Sequence, residues 1–97
     1  MSCYFLIDTY IDPDKGRGEY DEYIERVRPI VESYGGKYLV RSENVISLSR
    51  LRAPQRVIVI RFPSKEALHA CFGSREYREI QEKRAGSVDA RGVIVEV

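Results

Sequence analysis

A glycine pair in the middle of the chain marks the sharpest change of pattern in the sequence. Residues 19–34 carry apolar side chains at spacings of three and four, as one side of a helix does. Residues 37–41 then alternate as a strand does. Gly35 supplies the left-handed residue that commonly ends a helix, and Gly36 lets the chain turn back. The junction therefore predicts a helix-to-strand corner.

The helical stripe before this corner contains a proline. Pro29 lacks the backbone N–H and presses on the carbonyl of Glu25, which costs about 3 kcal/mol in an ideal helix. The apolar spacing stays in phase on both sides of the proline. We therefore expect one kinked helix and not two separate helices.

Two other runs are apolar at both odd and even positions. Residues 3–11 and 56–62 are rich in aromatic and β-branched side chains, which favour strands. A strand that is apolar on both faces is covered on both faces, so we expect these two to be central. Residues 92–97 predict a last strand. Residues 45–48 either continue the edge strand after a bulge or form a short hairpin.

The region after the third strand predicts further helix. Ser64 is a suitable N-cap for a helix that ends at Phe72, and Ser74 can cap a second helical piece after Gly73. That piece ends near residues 85–86.

The resulting order is strand, helix, strand, strand, helix, strand, which predicts an α+β fold of ferredoxin-like type. We expect one domain over residues 1–97, with a four-stranded, mostly antiparallel sheet and two helices on one face. Right-handed crossover connections predict that the first and third strands lie side by side and parallel in the middle of this sheet. Two helices cover only one face of a sheet whose central strands are apolar on both. We therefore expect a homodimer joined sheet to sheet.

Composition excludes several function classes. The formal net charge is +1, so no strongly basic nucleic-acid surface is expected. The two cysteines, Cys3 and Cys71, are far apart and have no metal-ligand partners, which is typical of reduced thiols and favours a cytoplasmic location. No apolar run approaches the roughly 20 residues of a membrane span. No dinucleotide, phosphate-loop, zinc or serine-hydrolase motif is present, so neither a cofactor nor a metal is predicted.

Charged residues on strands are the first candidates for a binding site. Arg41 follows the glycine-pair strand and offers a bidentate contact to a ligand carboxylate or phosphate, although a simple edge-strand ion pair explains it too. Arg61 lies on a central strand, where a buried charge requires a partner. Asp8 or Glu96 could be the partner of Arg61, in a structural pair within the chain or across the dimer, and a role in ligand binding is the alternative.

His69 is the only histidine and the weak candidate for a general base. A surface or boundary position is the simpler interpretation. Cys71 cannot pair closely with His69, because residues two apart on a helix point in different directions. We expect Cys71 to be a small buried hydrophobic residue.

Five tyrosines allow two interpretations. They either fill the core with their hydroxyls at its rim, or line a cavity between helices and sheet in which Tyr23 contributes a hydroxyl to a ligand. The tyrosines concerned are Tyr20, Tyr23, Tyr34, Tyr38 and Tyr77.

Three segments carry a family resemblance. Residues 34–41 read YGGKYLVR, residues 54–64 read PQRVIVIRFPS, and residues 74–77 read SREY. With these segments the chain resembles the DUF1330 family of small bacterial proteins over nearly its whole length. That family is similar to the dimeric α/β-barrel superfamily, which implies a homodimer and, in some members, cofactor-free oxygenase or isomerase activity. Arg52 stands where the family often has tryptophan, and Arg61 where glutamate is common.

Two functional hypotheses follow. The first is a dimeric small-molecule-binding protein, or a cofactor-free enzyme, that acts on a small anionic or aromatic compound. The second is a non-catalytic sensor or interaction module whose main property is the homodimer. An open cavity beneath the helix that contains Pro29 favours the first hypothesis, and a space filled by tyrosines favours the second.

Overall fold

The computed structural model describes residues 2–97 as a four-stranded sheet with three helices. The helix predicted after the third strand is divided in two at Gly73, as the second capping serine had indicated. This is an α+β, ferredoxin-like arrangement. The elements are β1 (Cys3–Tyr10), α1 (Tyr20–Ser33), β2 (Lys37–Ser42), β3 (Arg56–Phe62), α2 (Lys65–Phe72), α3 (Arg75–Ala85) and β4 (Asp89–Glu96).

The strand order is β2-β3-β1-β4, so the two doubly apolar strands are central as predicted. All three strand pairs are antiparallel, and the expectation that β1 and β3 run parallel is wrong. A crossover helix makes the two strands that it joins parallel. Those strands are β1 with β2 and β3 with β4, and in each case one antiparallel strand lies between them.

The helices pack on one face of the sheet, called here the inner face. Along β3 the residues of one parity are buried while those between them are more exposed. The apolar stripe of α1 covers the buried set, which confirms a single helix that continues through Pro29. The core contains Cys3, Ile58, Ile60 and Phe62 from the strands and Tyr20, Tyr23, Ile24, Val27, Val31, Leu68, Cys71, Tyr77 and Ile80 from the helices.

The outer face of the sheet is apolar and carries no helix. Leu6 and Val59 lie opposite each other at its centre, on β1 and β3. Val93 and Val95 of β4 extend this surface and are 58% and 45% exposed. Both faces of the central strands are thus apolar, as the sequence indicated.

The glycine pair joins α1 to β2 at a point where the end of α1 packs closely against β3. Gly35 adopts φ +85°, the left-handed conformation that the sequence predicted. The Gly35 N–H donates to the Glu32 carbonyl and the Gly36 N–H donates to the Val31 carbonyl, which together form a Schellman motif. A Cβ on Gly36 would lie 2.4 Å from Val31 Cγ1 and 3.0 Å from Phe62 Cε1. Position 36 therefore has no room for a side chain.

Serine caps begin the two later helices as predicted. Ser64 Oγ accepts a hydrogen bond from the Ala67 N–H at 3.1 Å. Ser74 Oγ accepts one from the Tyr77 N–H at 3.2 Å. Each cap satisfies a backbone donor that has no partner inside the helix.

Two loops flank one end of the sheet: the first loop (residues 11–19) and the second loop (residues 43–55). Residues 45–48 belong to no strand, so neither alternative for this segment is found. The second loop contains one isolated bridge, between Ser49 and Arg52. The bulge in β2 falls earlier, between Tyr38 and Val40. β4 begins at Asp89, three residues before the predicted start, because its polar first half pairs with β1.

The Gly36→Ala variant tests the packing of the junction. The added methyl group must displace Val31 or Phe62, and overpacking of this kind costs about 1–3 kcal/mol. We expect the melting temperature to fall by roughly 4–20 °C in a thermal unfolding experiment. Gly86→Ala is the matched control, because a Cβ there meets nothing closer than 3.4 Å. A melting temperature of Gly36→Ala equal to that of Gly86→Ala would contradict the close approach.

Candidate functional site

A cavity of about 280 Å³ lies between the helices and the inner face of the sheet. Its walls are apolar and aromatic. The strands contribute Phe5, Ile7, Thr9, Tyr38, Ile58, Ile60, Ala90 and Gly92, and the helices contribute Tyr20, Tyr23, Ile24, Val27, Val31, Phe72, Tyr77 and Arg84. Val27 and Val31 flank the turn that contains Pro29, so the space beneath this helix is an open cavity.

Four hydroxyl groups of the cavity wall pair with one another. Tyr23 and Tyr77 share a hydrogen bond between their phenol oxygens at 3.0 Å. Thr9 and Tyr20 share a longer one at 3.3 Å. Tyr20 and Tyr23 lie three positions apart on α1, and their rings stack with centroids 6.2 Å apart. These tyrosines therefore line the cavity while their hydroxyls hydrogen-bond to other hydroxyls of its wall.

Arg84 supplies the only side chain of formal charge among the described lining residues. It lies in the last turn of α3, half-buried, with its guanidinium carbon 6.0 Å from the centroid of the Tyr23 ring. Burial acts to lower the pKa of Arg84, but the neighbouring Tyr77 and Tyr23 hydroxyls more than offset this effect, and the net shift is upward. A permanent cation thus stands beside the hydroxyl pair.

Two phenols of the cavity, those of Tyr23 and Tyr38, are weaker acids than usual. Burial, with a further contribution from Tyr77, raises the pKa of Tyr23 far above its usual range. Burial also raises the pKa of Tyr38 to about 12. Both side chains are neutral at physiological pH, so they serve a ligand as hydrogen-bond donors and acceptors and not as bases.

Of the candidate residues selected from the sequence, four tyrosines line the cavity and the others do not. The four are Tyr20, Tyr23, Tyr38 and Tyr77, whereas Tyr34 lies outside the lining. Arg41 is exposed on the edge strand β2, near enough to Tyr38 for its charge to act on that phenol. His69 is exposed on α2, one turn before the helix ends. Neither Arg41 nor His69 is among the residues that line the cavity.

Arg61 and Asp8 lie on the outer face and do not pair with each other. Arg61 is exposed and donates to the Ser2 hydroxyl at 2.9 and 3.1 Å. Asp8 accepts from Arg52 of the second loop at 2.6 and 3.0 Å. Glu96 lies beside Lys65 at 3.4 Å. Within one chain, Arg61 therefore pairs with neither Asp8 nor Glu96, and the outer face of β3 leaves Arg61 in solvent, where it does not require a partner.

The cysteines have no chemical role in the cavity wall. Cys3 and Cys71 are both free and buried, as expected for small hydrophobic residues. Burial raises the pKa of Cys71 to about 11, so its thiol is protonated and a poor nucleophile.

Arg84 was missed by the sequence reasoning, although a local signal existed. Tyr77 and Ile80 mark the buried side of α3, and Arg84 follows them at the next helical spacing. A charged residue that continues an apolar stripe at its end is a candidate for the rim of a pocket.

Two further properties complete the site description. Residues 2–97 contain no group of three or more histidine, cysteine, aspartate or glutamate side chains arranged to hold a metal ion. Within the same residues, no helix has the length and apolar character needed to cross a membrane.

Comparison with solved structures supports the fold. A protein of unknown function from Rhodopseudomonas palustris is 22% identical, with a TM-score of 0.80 over 99% of this chain and 82% of its own. SnoaB, a cofactor-independent oxygenase from Streptomyces nogalater, is 7% identical, with a TM-score of 0.69 over 99% of this chain and 92% of its own. A dimeric ferredoxin-like protein of unknown function from Jannaschia sp. CCS1 is 17% identical, with a TM-score of 0.66 over the whole of both chains.

These identities are low, so the likeness concerns the fold alone. None of the curated proteins compared with the chain matches it. The family model described as a domain of unknown function, DUF1330, matches residues 4–97. The three sequence segments that resembled this family all lie inside the match, and the chain belongs to the DUF1330 family.

Proposed function

We propose that this protein binds a small aromatic compound with an anionic oxygen in the cavity between its helices and its sheet. One observation carries the proposal: apolar walls enclose about 280 Å³ and converge with one guanidinium and a pair of phenol hydroxyls. Ligand sites typically combine a largely apolar wall with a few polar groups that fix orientation. A cavity of about 150 Å³ can hold benzene, so this volume suits a ligand of one or two rings.

Arg84 is the proposed anchor for the anionic oxygen. A guanidinium offers two parallel donors to a carboxylate, and its charge persists at all physiological pH values. The hydroxyls of Tyr23 and Tyr77 lie in the same part of the wall, and because one of them donates to the other, the pair can offer one O–H to an oxygen of the ligand. Arg41, exposed near Tyr38, is the second candidate anchor.

The wall chemistry also limits the reactions that the site can perform. The described lining residues include neither a carboxylate nor a histidine. Burial raises the pKa of Tyr23 and of Tyr38, so these two phenols are neutral and do not act as bases near pH 7. A cofactor-free reaction in this cavity would therefore need a substrate that is already deprotonated, such as a phenolate or an enolate, with Arg84 and the hydroxyls stabilising its negative charge. The fold likeness to a cofactor-independent oxygenase agrees with such chemistry.

The same lack of a base supports a second candidate, a non-catalytic sensor that binds the compound and returns it unchanged. NMR spectra of the compound before and after incubation with the protein distinguish the two. New product signals favour an enzyme, and unchanged signals with measurable binding favour a sensor.

The Arg84→Met variant tests the anchor. Methionine keeps the length and apolar stem of the side chain but removes the charge, and a hydrogen bond to a charged group contributes about 1.5–3 kcal/mol. We expect the affinity for benzoate, measured by calorimetry, to fall roughly 10- to 100-fold. The affinity for benzyl alcohol, which has no charge, should change little.

Arg75→Met is the matched control on the same helix, because Arg75 is exposed and remote from the lining. It should bind benzoate as the unaltered protein does. Arg41→Met decides between the two anchors. Benzoate affinity that survives in Arg84→Met but is lost in Arg41→Met would transfer the role to Arg41, and affinity unchanged in both would refute the charged anchor.

We further propose that the protein is a homodimer joined through the outer faces of its sheets. Each large aliphatic side chain left in water forfeits roughly 1.5–3 kcal/mol of burial, and contiguous apolar patches mark association surfaces. The outer face holds Leu6 and Val59 at its centre. Ile46, Leu48 and Leu51 of the second loop, 86%, 98% and 94% exposed, add to the apolar surface. The Jannaschia protein of similar fold is described as dimeric.

The Val59→Asp variant tests the dimer. It places a charge at the centre of the outer face, where two sheets in contact would bury it unpaired. We expect light scattering to give about twice the 11.2 kDa chain mass for the unaltered protein and the single-chain mass for the variant. Ala70→Asp makes the same change on the exposed side of α2 and should remain dimeric. A single-chain mass for the unaltered protein at micromolar concentration would exclude the dimer.

A further inference from the structure

A second concave surface lies apart from the cavity, between the first loop and the second loop. This groove encloses about 670 Å³ and is more open than the cavity. The two share no lining residue. Arg17, Glu43 and Gln55 supply the polar groups of the groove, and Ile11, Val45 and Pro54 supply apolar ones.

Arg56 is a buried cation that follows Gln55 of the groove lining but does not itself line the groove. It is only 8% exposed. Its Nε atom is buried and has no hydrogen-bond partner among the described residues, and its guanidinium carbon lies 5.7 Å from the centroid of the Tyr20 ring. A buried guanidinium without an acceptor is unfavourable unless an anion completes it.

Two other arginines of the chain show how such a group is normally satisfied. Arg17 donates from Nε and Nη2 to the Asp21 carboxylate at 2.7–3.1 Å. Arg52 donates from Nε and Nη2 to Asp8 at 2.6 and 3.0 Å. Arg56 presents the same pair of nitrogens, and its Nε has no acceptor.

Glu43 is the acidic side chain near both arginines: it bonds to Arg17, and it follows Ser42, whose partner on β3 is Val57, the residue after Arg56. Its carboxylate is bound by Arg17 Nη1 and is half-exposed. The hydrogen bond from Arg17 lowers the pKa of Glu43, and the charge of Arg56 lowers it further. Arg17 lies over the same Tyr20 ring as Arg56, also at 5.7 Å. The carboxylate of Glu43 thus lies in the field of both guanidinium groups while bonding to one of them.

We propose that the groove is a binding site for an oxyanion, a carboxylate or a phosphate group, held by Arg17 and Arg56 after it displaces the Glu43 carboxylate. Because Nε of Arg56 is covered in the free protein, the ligand reaches Arg56 only when the Glu43 side chain swings outward. Glu43 then acts as an internal competitor that occupies the site until the ligand arrives. This site is separate from the proposed aromatic cavity and does not depend on it.

Thermal unfolding in sodium phosphate, sodium acetate and sodium chloride at equal ionic strength tests the proposal. Binding to the native state raises the melting temperature with the logarithm of the anion concentration above the dissociation constant, by roughly 4–8 °C at about five times that constant, whereas the general effect of a stabilising salt is the same in variants that lack the site. The phosphate and acetate series show which of the two oxyanions the site prefers.

Three variants give the expected pattern. Glu43→Gln removes the internal competitor, so a given rise in melting temperature should require roughly tenfold less anion. Arg56→Met should lose the part of the rise that is due to binding, and should melt above the unaltered protein in chloride because it no longer buries an unpaired charge. Arg50→Met removes the same charge from an exposed position in the second loop and should keep the full shift.

Arg56→Lys covers the case in which the methionine variant does not fold. It keeps the charge but loses the paired donors, so several-fold more anion should be needed for the same rise in melting temperature. The proposal is overturned if Arg56→Met or Arg56→Lys shows the same rise as the unaltered protein at each anion concentration. It is equally overturned if Glu43→Gln leaves the required anion concentration unchanged, or if neither anion raises the melting temperature of the unaltered protein more than that of Arg56→Met.

Discussion

The contact between α1 and the inner face of the sheet is the interaction on which the other features depend. The apolar stripe of α1 buries Tyr20, Tyr23, Val27 and Val31 against the strands. Burial of this apolar area is the main stabilising contribution available to a chain of this size. The same helical spacing places Tyr20 and Tyr23 on one side of α1, so both rings form part of the cavity wall. It also brings the end of the helix so close to β3 that Gly36 is required. Core and cavity are therefore built from one set of side chains.

Arginine serves several distinct purposes in this small protein. Arg17 and Arg52 hold carboxylates at the surface, where such pairs contribute little to stability but fix the position of loops. Arg84 stands at the cavity, next to neutral phenols. Arg56 is buried, and its Nε has no hydrogen-bond partner among residues 2–97. The residue type alone predicted none of these differences, because they arise from what each guanidinium meets after the chain has folded.

Local patterns predicted most of the helices and their ends. The Schellman motif at Gly35 and the serine caps at Ser64 and Ser74 depend on neighbours within a few residues, so the sequence contains the whole signal. The ferredoxin-like order and the central position of β1 and β3 also followed from apolar patterning. The relative direction of β1 and β3 was predicted incorrectly. A crossover helix makes the two strands that it joins parallel, but β1 and β3 are neighbours in the sheet that no single helix joins.

The candidate site was less predictable than the fold. Tyr23 was selected for its hydroxyl and does line the cavity, but Arg84 was overlooked because it ends a stripe that otherwise reads as core. The ion pair between Asp8 and Arg52 joins residues 44 positions apart, through a loop without regular structure. The start of β4 at Asp89 is dictated by pairing with β1, and its polar residues give no strand signal of their own. These features depend on distant partners, which a reading of one sequence does not supply.

The strand order has a consequence for how the chain is made. β1 precedes the other three strands in the chain, yet both of its neighbours in the sheet, β3 and β4, come after β2. During translation the apolar residues on both sides of β1 therefore remain without a partner until β3 and β4 have been made. Pairings of such high sequence separation fold slowly and leave strand edges open to other chains. A strand at the centre of the finished sheet is thus the last to gain both of its neighbours.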